Sequence, residues 1–153
     1  MLAATLLLPM SALSHQPTIP HDVPPAYQAE CGSCHLAYLP SLLPESEWRS
    51  VMRQLGKHYG DNASLDETTR LQIEDFLARN AGSRRLMYFG AGDPPRLTAT
   101  AWFQHKHKRL PTAVWSDKRV GSAPNCAACH PEAERGLFNK FDVTVPSGYW
   151  GDD

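Results

Sequence analysis

The residues best placed to do chemistry in this chain form two five-residue words, Cys31-Gly32-Ser33-Cys34-His35 and Cys126-Ala127-Ala128-Cys129-His130. Each has the form C-x-x-C-H. In that pattern two thiols become thioethers on the haem vinyl groups, and the adjacent histidine is carried to one axial face of the iron. Together the words use all four cysteines of the protein. They predict two covalently attached haem c groups, with Cys31, Cys34, Cys126 and Cys129 as attachment points and His35 and His130 as iron ligands. Other readings of the cysteines explain less. Zinc sites put their two pairs roughly 12–20 residues apart, whereas nearly the whole chain separates these, and zinc gives no reason for a histidine after each pair. A thioredoxin-like motif needs one C-x-x-C on a βαβ unit, and plain disulfides leave the histidines unexplained.

An iron held this way needs a sixth ligand or stays open to small molecules. That choice separates a carrier from an enzyme. The candidates outside the motifs are His15, His21, His58, His105, His107 and the methionines. Trp48, Val51, Met52 and Leu55 recur at helical spacing, and His58 continues their face one turn further, so it is expected to point inward. A lone histidine there is usually a satisfied core residue, but two irons in need of ligands shift the reading to ligation. His105 and His107 lie about 200° apart around a helix and cannot share a face. Phe103, His107 and Leu110 follow the i, i+4, i+7 pattern, which turns His107 to the core and leaves His105 on the wet side with Gln104 and Lys108. His15 and His21 sit in a proline-rich lead and read as surface residues. Met52 reads as core, and Met87, in Arg85-Leu86-Met87-Tyr88-Phe89, is the thioether alternative. The expected pairs are His35 with His58 on haem 1 and His130 with His107 on haem 2, one pair in each half, although spacing also admits a crossed arrangement.

The elements that must position these groups are mainly α. A short helix is expected over Tyr27–Leu39, carrying the first motif. A second opens at Pro44 and Ser46 and runs towards His58. Ser64-x-x-Glu67 reads as a capping box for a third, ending at Asn80-Ala81-Gly82. Gly90-Ala91-Gly92-Asp93-Pro94-Pro95 marks a break, taken as the domain boundary between 15–90 and 91–153. A fourth helix is expected over about Thr98–Leu110, stopped by Pro111. An irregular tail follows the second motif from Gly136, with β-prone Phe141, Val143 and Val145. Trp48, Trp102, Phe103 and Trp115 are candidates to pack on haem or to form ordinary core.

Residues 1–14 read as a truncated signal peptide. Leu2–Leu13 is apolar and ends in Ala12-Leu13-Ser14, a small-x-small cleavage pattern, yet no Lys or Arg precedes it, which places the true start upstream. The stretch is well short of the roughly 20 residues of a membrane span, and Pro9 interrupts it. Covalent haem attachment takes place outside the bacterial cytoplasm, so a periplasmic location is expected. Thirteen prolines and ten glycines over 153 residues imply many turns and a thin side-chain core that haem faces must complete. Fifteen basic against sixteen acidic residues, a formal net charge of -1, argue against nucleic-acid binding.

Several flanking segments are more specific than the motifs themselves. Glu30 before the first motif, then Trp48, then His58-Tyr59-Gly60-Asp61-Asn62-Ala63-Ser64-Leu65-Asp66, resemble the bacterial dihaem cytochrome c family. So do Trp102-Phe103 with Lys106-His107, Ser122-Ala123-Pro124-Asn125, and Ala133-Glu134-Arg135-Gly136 with Phe138. The resemblance spans about Pro24–Pro146. It implies an N-terminal domain like a small monohaem cytochrome c and a smaller irregular C-terminal domain around haem 2. It also implies an electron carrier with bis-histidine haems, associated with a membrane b-type cytochrome and a small oxygen-binding c-type haem protein. Two imidazoles stabilise ferric iron relative to a His/Met pair and lower the potential.

Three functions are therefore set against one another. The first is a periplasmic carrier with two closed haems, relaying electrons from a membrane donor to a soluble acceptor. The second is a dihaem enzyme, or a gas- or peroxide-binding protein, with one open iron; no clear acid–base constellation supports it, although Glu132 and Glu134 follow the second motif. The third is a subunit of a larger respiratory complex.

Overall fold

The computed structural model describes residues 17, 19–85 and 88–149. The leader at 1–14, His15 and Met87 lie outside them. Four α-helices carry the fold: α1 (Pro25–Cys31), α2 (Glu45–Arg53), α3 (Glu67–Arg79) and α4 (Ala101–His107). Single 3-10 turns punctuate the rest, and among the described residues there is no strand, only an isolated bridge between His58 and Asp61. The β-prone tail therefore stays irregular.

The core lies where α2 crosses α3. Trp48, Val51 and Met52 share one face of α2, and Ile73, Phe76 and Leu77 share one face of α3; all six are buried. These are i, i+3, i+4 sets, so each helix presents a single apolar stripe to the other. Acidic Glu45 and Glu47 in the first turn of α2 and Arg53 in the last suit the helix dipole. Outside the stripe, Arg49 joins the helices, with Nη1 2.8 Å from Glu74. Tyr27 of α1 is buried and lies over Phe76, ring centroids 5.0 Å apart. The buried cluster runs past the Gly90–Pro95 break to include Leu97 and Phe103.

Several helix limits differ from expectation. The first helix stops at Cys31, before the motif is complete, rather than running to Leu39. Gly32 donates its N–H to the Gln28 carbonyl, and a Cβ there would sit 2.4 Å from that oxygen, so the chain leaves the helix at a residue that carries no side chain. The second helix ends at Arg53; His58 follows a 3-10 turn, Leu55–Lys57, instead of lying on the helix. The cap of α3 is Asp66, whose carboxylate accepts from Thr69 N–H at 3.0 Å, not Ser64. Its other end agrees with expectation, at Arg79 with Asn80 beyond it. The fourth helix is shorter than Thr98–Leu110. Leu97–Ala99 forms a 3-10 turn, and Thr100 caps α4 by accepting from Phe103 N–H.

Candidate haem centres

The first motif straddles the end of α1. Cys31 is the last helical residue, Cys34 is exposed, and His35 is half-buried. The His35 Nδ1 sits 2.7 Å from the Leu36 carbonyl. An oxygen acceptor fixes the proton on Nδ1 and leaves Nε2 with its lone pair free for a metal. His58 comes to the same place from the turn after α2. That turn is closed by Ala63 N–H on the Leu55 carbonyl at 2.9 Å and by Asp61 N–H on the His58 carbonyl at 3.0 Å. It passes through left-handed Tyr59 (φ 54°) and Gly60 (φ 115°). The His35 and His58 ring centroids stand 6.1 Å apart with planes 18° from parallel.

The second motif begins on a 3-10 turn, Cys126–Ala128. The His130 N–H donates to the Cys126 carbonyl at 2.9 Å, and Thr144 N–H donates to the Cys129 carbonyl at the same distance, tying the irregular tail to the motif. His107 approaches from the last turn of α4. Its Nδ1 lies 2.8 Å from the Phe103 carbonyl, which again leaves Nε2 free. Its ring stacks on Phe103 at 4.1 Å and meets the edge of Trp115 at 5.7 Å. The His107 and His130 centroids are 6.2 Å apart, and their planes are perpendicular at 90°.

These separations test whether an iron fits. An imidazole centroid lies about 1.1 Å from its nitrogen and a metal–imidazole bond is about 2.0 Å, so two rings on opposite faces of one iron stand about 6.2 Å apart. Both pairs match that value, at 6.1 and 6.2 Å. Electrostatics agree. Burial, and secondarily the neighbouring His35, hold the His58 pKa below the ordinary imidazole value. Burial does the same for His107 and, with His107 as a second cause, for His130. Neutral imidazole is the form that binds metal. The buried Nδ1 of His58 has no hydrogen-bond partner, the one such side-chain atom among the described residues. None of the four cysteines is in a disulfide; burial pushes the Cys31 and Cys126 thiols up to about 11, so both are protonated at neutral pH.

Each candidate can now be placed. His35 meets His58 and His107 meets His130, the uncrossed pairing. His105 is exposed, as is His21, and Met52 is buried in the α2–α3 core. Phe103 and Trp115 line the His107 site, whereas Trp48 belongs to the core with its Nε1 donating to the Pro40 carbonyl at 2.7 Å, and Trp102 stacks on Tyr88 at 5.9 Å. Sequence reasoning missed two tyrosines. Tyr38 stacks on His35, and Tyr59 packs edge-on to His58 at 4.7 Å beneath the Arg96 guanidinium. Neither lies in a C-x-x-C-H word; Tyr59 falls in the His58–Asp66 segment that carries the family resemblance, and Tyr38 could have been flagged only by its closeness to His35.

A small helical fold with two C-x-x-C-H words, each facing a second imidazole across the width of one iron, defines a multihaem c-type cytochrome. Residues 27–138 match the family model for dihaem cytochrome c, and the chain belongs to that family. It is similar to the crystal structure of a diheme cytochrome c from Shewanella baltica OS155, at 38% identity and a TM-score of 0.71, covering 83% of this chain and 98% of that one. It is also similar to the DHC purified from Rhodobacter sphaeroides, at 39% identity and a TM-score of 0.65, covering 79% of this chain and all of that one. No curated protein sequence matches. The protein is thus a mainly helical cytochrome with two c-type haems. No helix among the described residues is long and apolar enough to cross a membrane.

Proposed function

We propose that this cytochrome is a one-electron carrier, not an enzyme, in which both irons are closed by paired histidines. His35 and His58 would hold the iron of haem 1, attached through Cys31 and Cys34. His130 and His107 would hold that of haem 2, attached through Cys126 and Cys129. The observation that carries this reading is the pair of imidazole separations, 6.1 and 6.2 Å. When bound, each haem supplies a one-electron couple. The chain's residues tune and protect that couple. The Leu36 and Phe103 carbonyls fix the imidazole tautomers and strengthen His35 and His107 as donors. Phe103, Trp115 and Phe138, the last 5.3 Å from the His130 ring, shield site 2 from water. Two imidazoles fixed at each iron would change its surroundings little on reduction and would exclude oxygen and peroxide.

The leader and the covalent haems favour export to the periplasm. The resemblance favours a membrane b-type cytochrome as donor and a small oxygen-binding c-type haem protein as acceptor. The test is the visible spectrum of the dithionite-reduced protein with and without carbon monoxide. An unchanged Soret band is expected in the wild type. In His58→Ala and His107→Ala one haem should remain attached but become high-spin and bind carbon monoxide. Carbon monoxide binding by the wild type would refute the carrier reading and favour an open-iron enzyme or sensor. A low-spin His107→Ala would remove that ligand assignment.

A further inference from the structure

The two haem sites meet at one side chain. Tyr38 lies three residues beyond His35, and its ring stacks on the His35 imidazole with centroids 4.9 Å apart and planes at 23°. Its hydroxyl reaches 86 residues along the chain and donates to the Pro124 carbonyl at 3.1 Å. That carbonyl also accepts the Cys126 N–H at 2.9 Å and lies 3.5 Å from the Cys126 sulfur. Tyr38 therefore covers the ligand of one site with its face and reaches the attachment cysteine of the other with its tip, through one shared oxygen. It is also fixed from behind, because the Tyr27 hydroxyl donates to the Tyr38 carbonyl and the Tyr27 ring is anchored on Phe76.

We propose that Tyr38 is the coupling residue between the two haems, linking His35 to Cys126 by ring stacking and one hydrogen bond. This rests on His35 and Cys126 serving the haems as proposed above. In each exchange one electron leaves one haem and arrives at the other, so one is oxidised as the other is reduced. Tyr38 is itself neither oxidised nor deprotonated. Burial raises its ionisation far above neutral pH. The Pro124 carbonyl is an acceptor of a hydrogen bond, not of a proton. The phenol acts as a fixed medium for electron tunnelling that shortens the through-space gap between two sites far apart in sequence.

The experiment is exchange NMR on partly reduced holoprotein, following haem methyl signals to obtain the concentration-independent rate of intramolecular electron exchange. The variants are Tyr38→Phe, which keeps the stack and loses the bond to Pro124, and Tyr38→Leu, which loses both. Exchange is expected to slow by about an order of magnitude in Tyr38→Phe and further in Tyr38→Leu, with both midpoint potentials unchanged. A wild-type rate in either variant overturns the proposal, because electrons then cross directly between the porphyrins. Slowing that appears only together with shifted potentials also overturns it, because the residue then acts by holding a haem in place. Failure of the ligation reading shows separately, as a high-spin or carbon monoxide-binding wild type.

Discussion

Thr100 decides whether His107 is held in position. Its side chain is wholly buried, its hydroxyl donates to the Leu97 carbonyl at 2.8 Å, and the same oxygen accepts from Phe103 N–H at 3.1 Å. The helix it caps has only seven residues, well below the roughly 12–15 at which isolated helices become even marginal. Phe103 is also the residue whose carbonyl and ring fix the His107 imidazole. Replacing Thr100 by Val keeps the shape and removes both hydrogen bonds. A lost cap costs about 1 kcal/mol, and losing the hydroxyl's hydrogen bond to the Leu97 carbonyl, which keeps the residue-100 N–H at 3.1 Å, costs about another 1 kcal/mol. The sum of about 2 kcal/mol multiplies the population of a loosened α4 by about 30. On the proposed ligation carbon monoxide can reach haem 2 only while His107 is detached, so binding too slow to register in the wild-type spectrum should quicken by up to that factor, measured by stopped-flow on the reduced protein. Thr100→Ser should behave as wild type. If Thr100→Val lowers the melting temperature without changing that rate, α4 does not hold His107 and the reasoning fails.

The imidazole planes make the two irons spectroscopically different. With planes 18° apart, haem 1 should give a fully resolved rhombic ferric EPR signal; with planes at 90°, haem 2 should give one strongly anisotropic low-field line. Two superimposable signals would refute the geometry. Trp48→Phe removes one of two bonds to the buried Pro40 carbonyl, which keeps the Leu43 N–H at 3.4 Å, a loss of about 0.5–1.5 kcal/mol. Each kcal/mol lowers the melting temperature by about 2–4 °C at this size, so a calorimetric melt should fall with the Soret band unchanged. Asp117 is held well below the carboxylate range, first by the Arg119 side chain and then by the Arg119 N–H, with the Tyr149 hydroxyl adding to them. Its folded pKa is below the unfolded value of about 3.9, so its stabilisation is present above that pH and lost as pH falls further. Acid titration of Asp117→Asn should therefore show a shallower loss of stability below pH about 4 than the wild type.

Much of the site was legible because ligand chemistry is written in residue types. Spacing singled out the four cysteines and the motif histidines as candidates, and it told the half-buried His107, which faces His130, from the exposed His105. The position of His58 was legible for a partly mistaken reason. It faces inward not because a helix carries it, but because the Leu55–Lys57 turn conserves the direction of the apolar stripe and left-handed Tyr59 and Gly60 then reverse the chain. Helix lengths were less legible, because tertiary packing overrides local propensity in setting where a short helix ends. Nothing in local propensity says that α1 must release the chain at Gly32 so that Cys34 and His35 can turn back. The cap at Asp66 rather than Ser64 was a choice between two competent residues, made by where the chain arrives from the His58 loop.

The carbonyl tethers on His35 and His107 also bear on how the protein matures. Both are local, to the next residue and to the fourth residue before, so neither depends on a haem being present. In site 1 the tethered imidazole belongs to the attachment motif, whereas in site 2 it is the one that arrives opposite the motif. On the proposed ligation, a haem joined to Cys126 and Cys129 would meet a ligand already aimed at it. A haem joined to Cys31 and Cys34 would be closed by His58, whose aim comes from the surrounding loop. The two halves of one short chain would therefore complete their cofactors by different routes, the second by docking onto a prepared ligand and the first by folding a loop around the newly attached group.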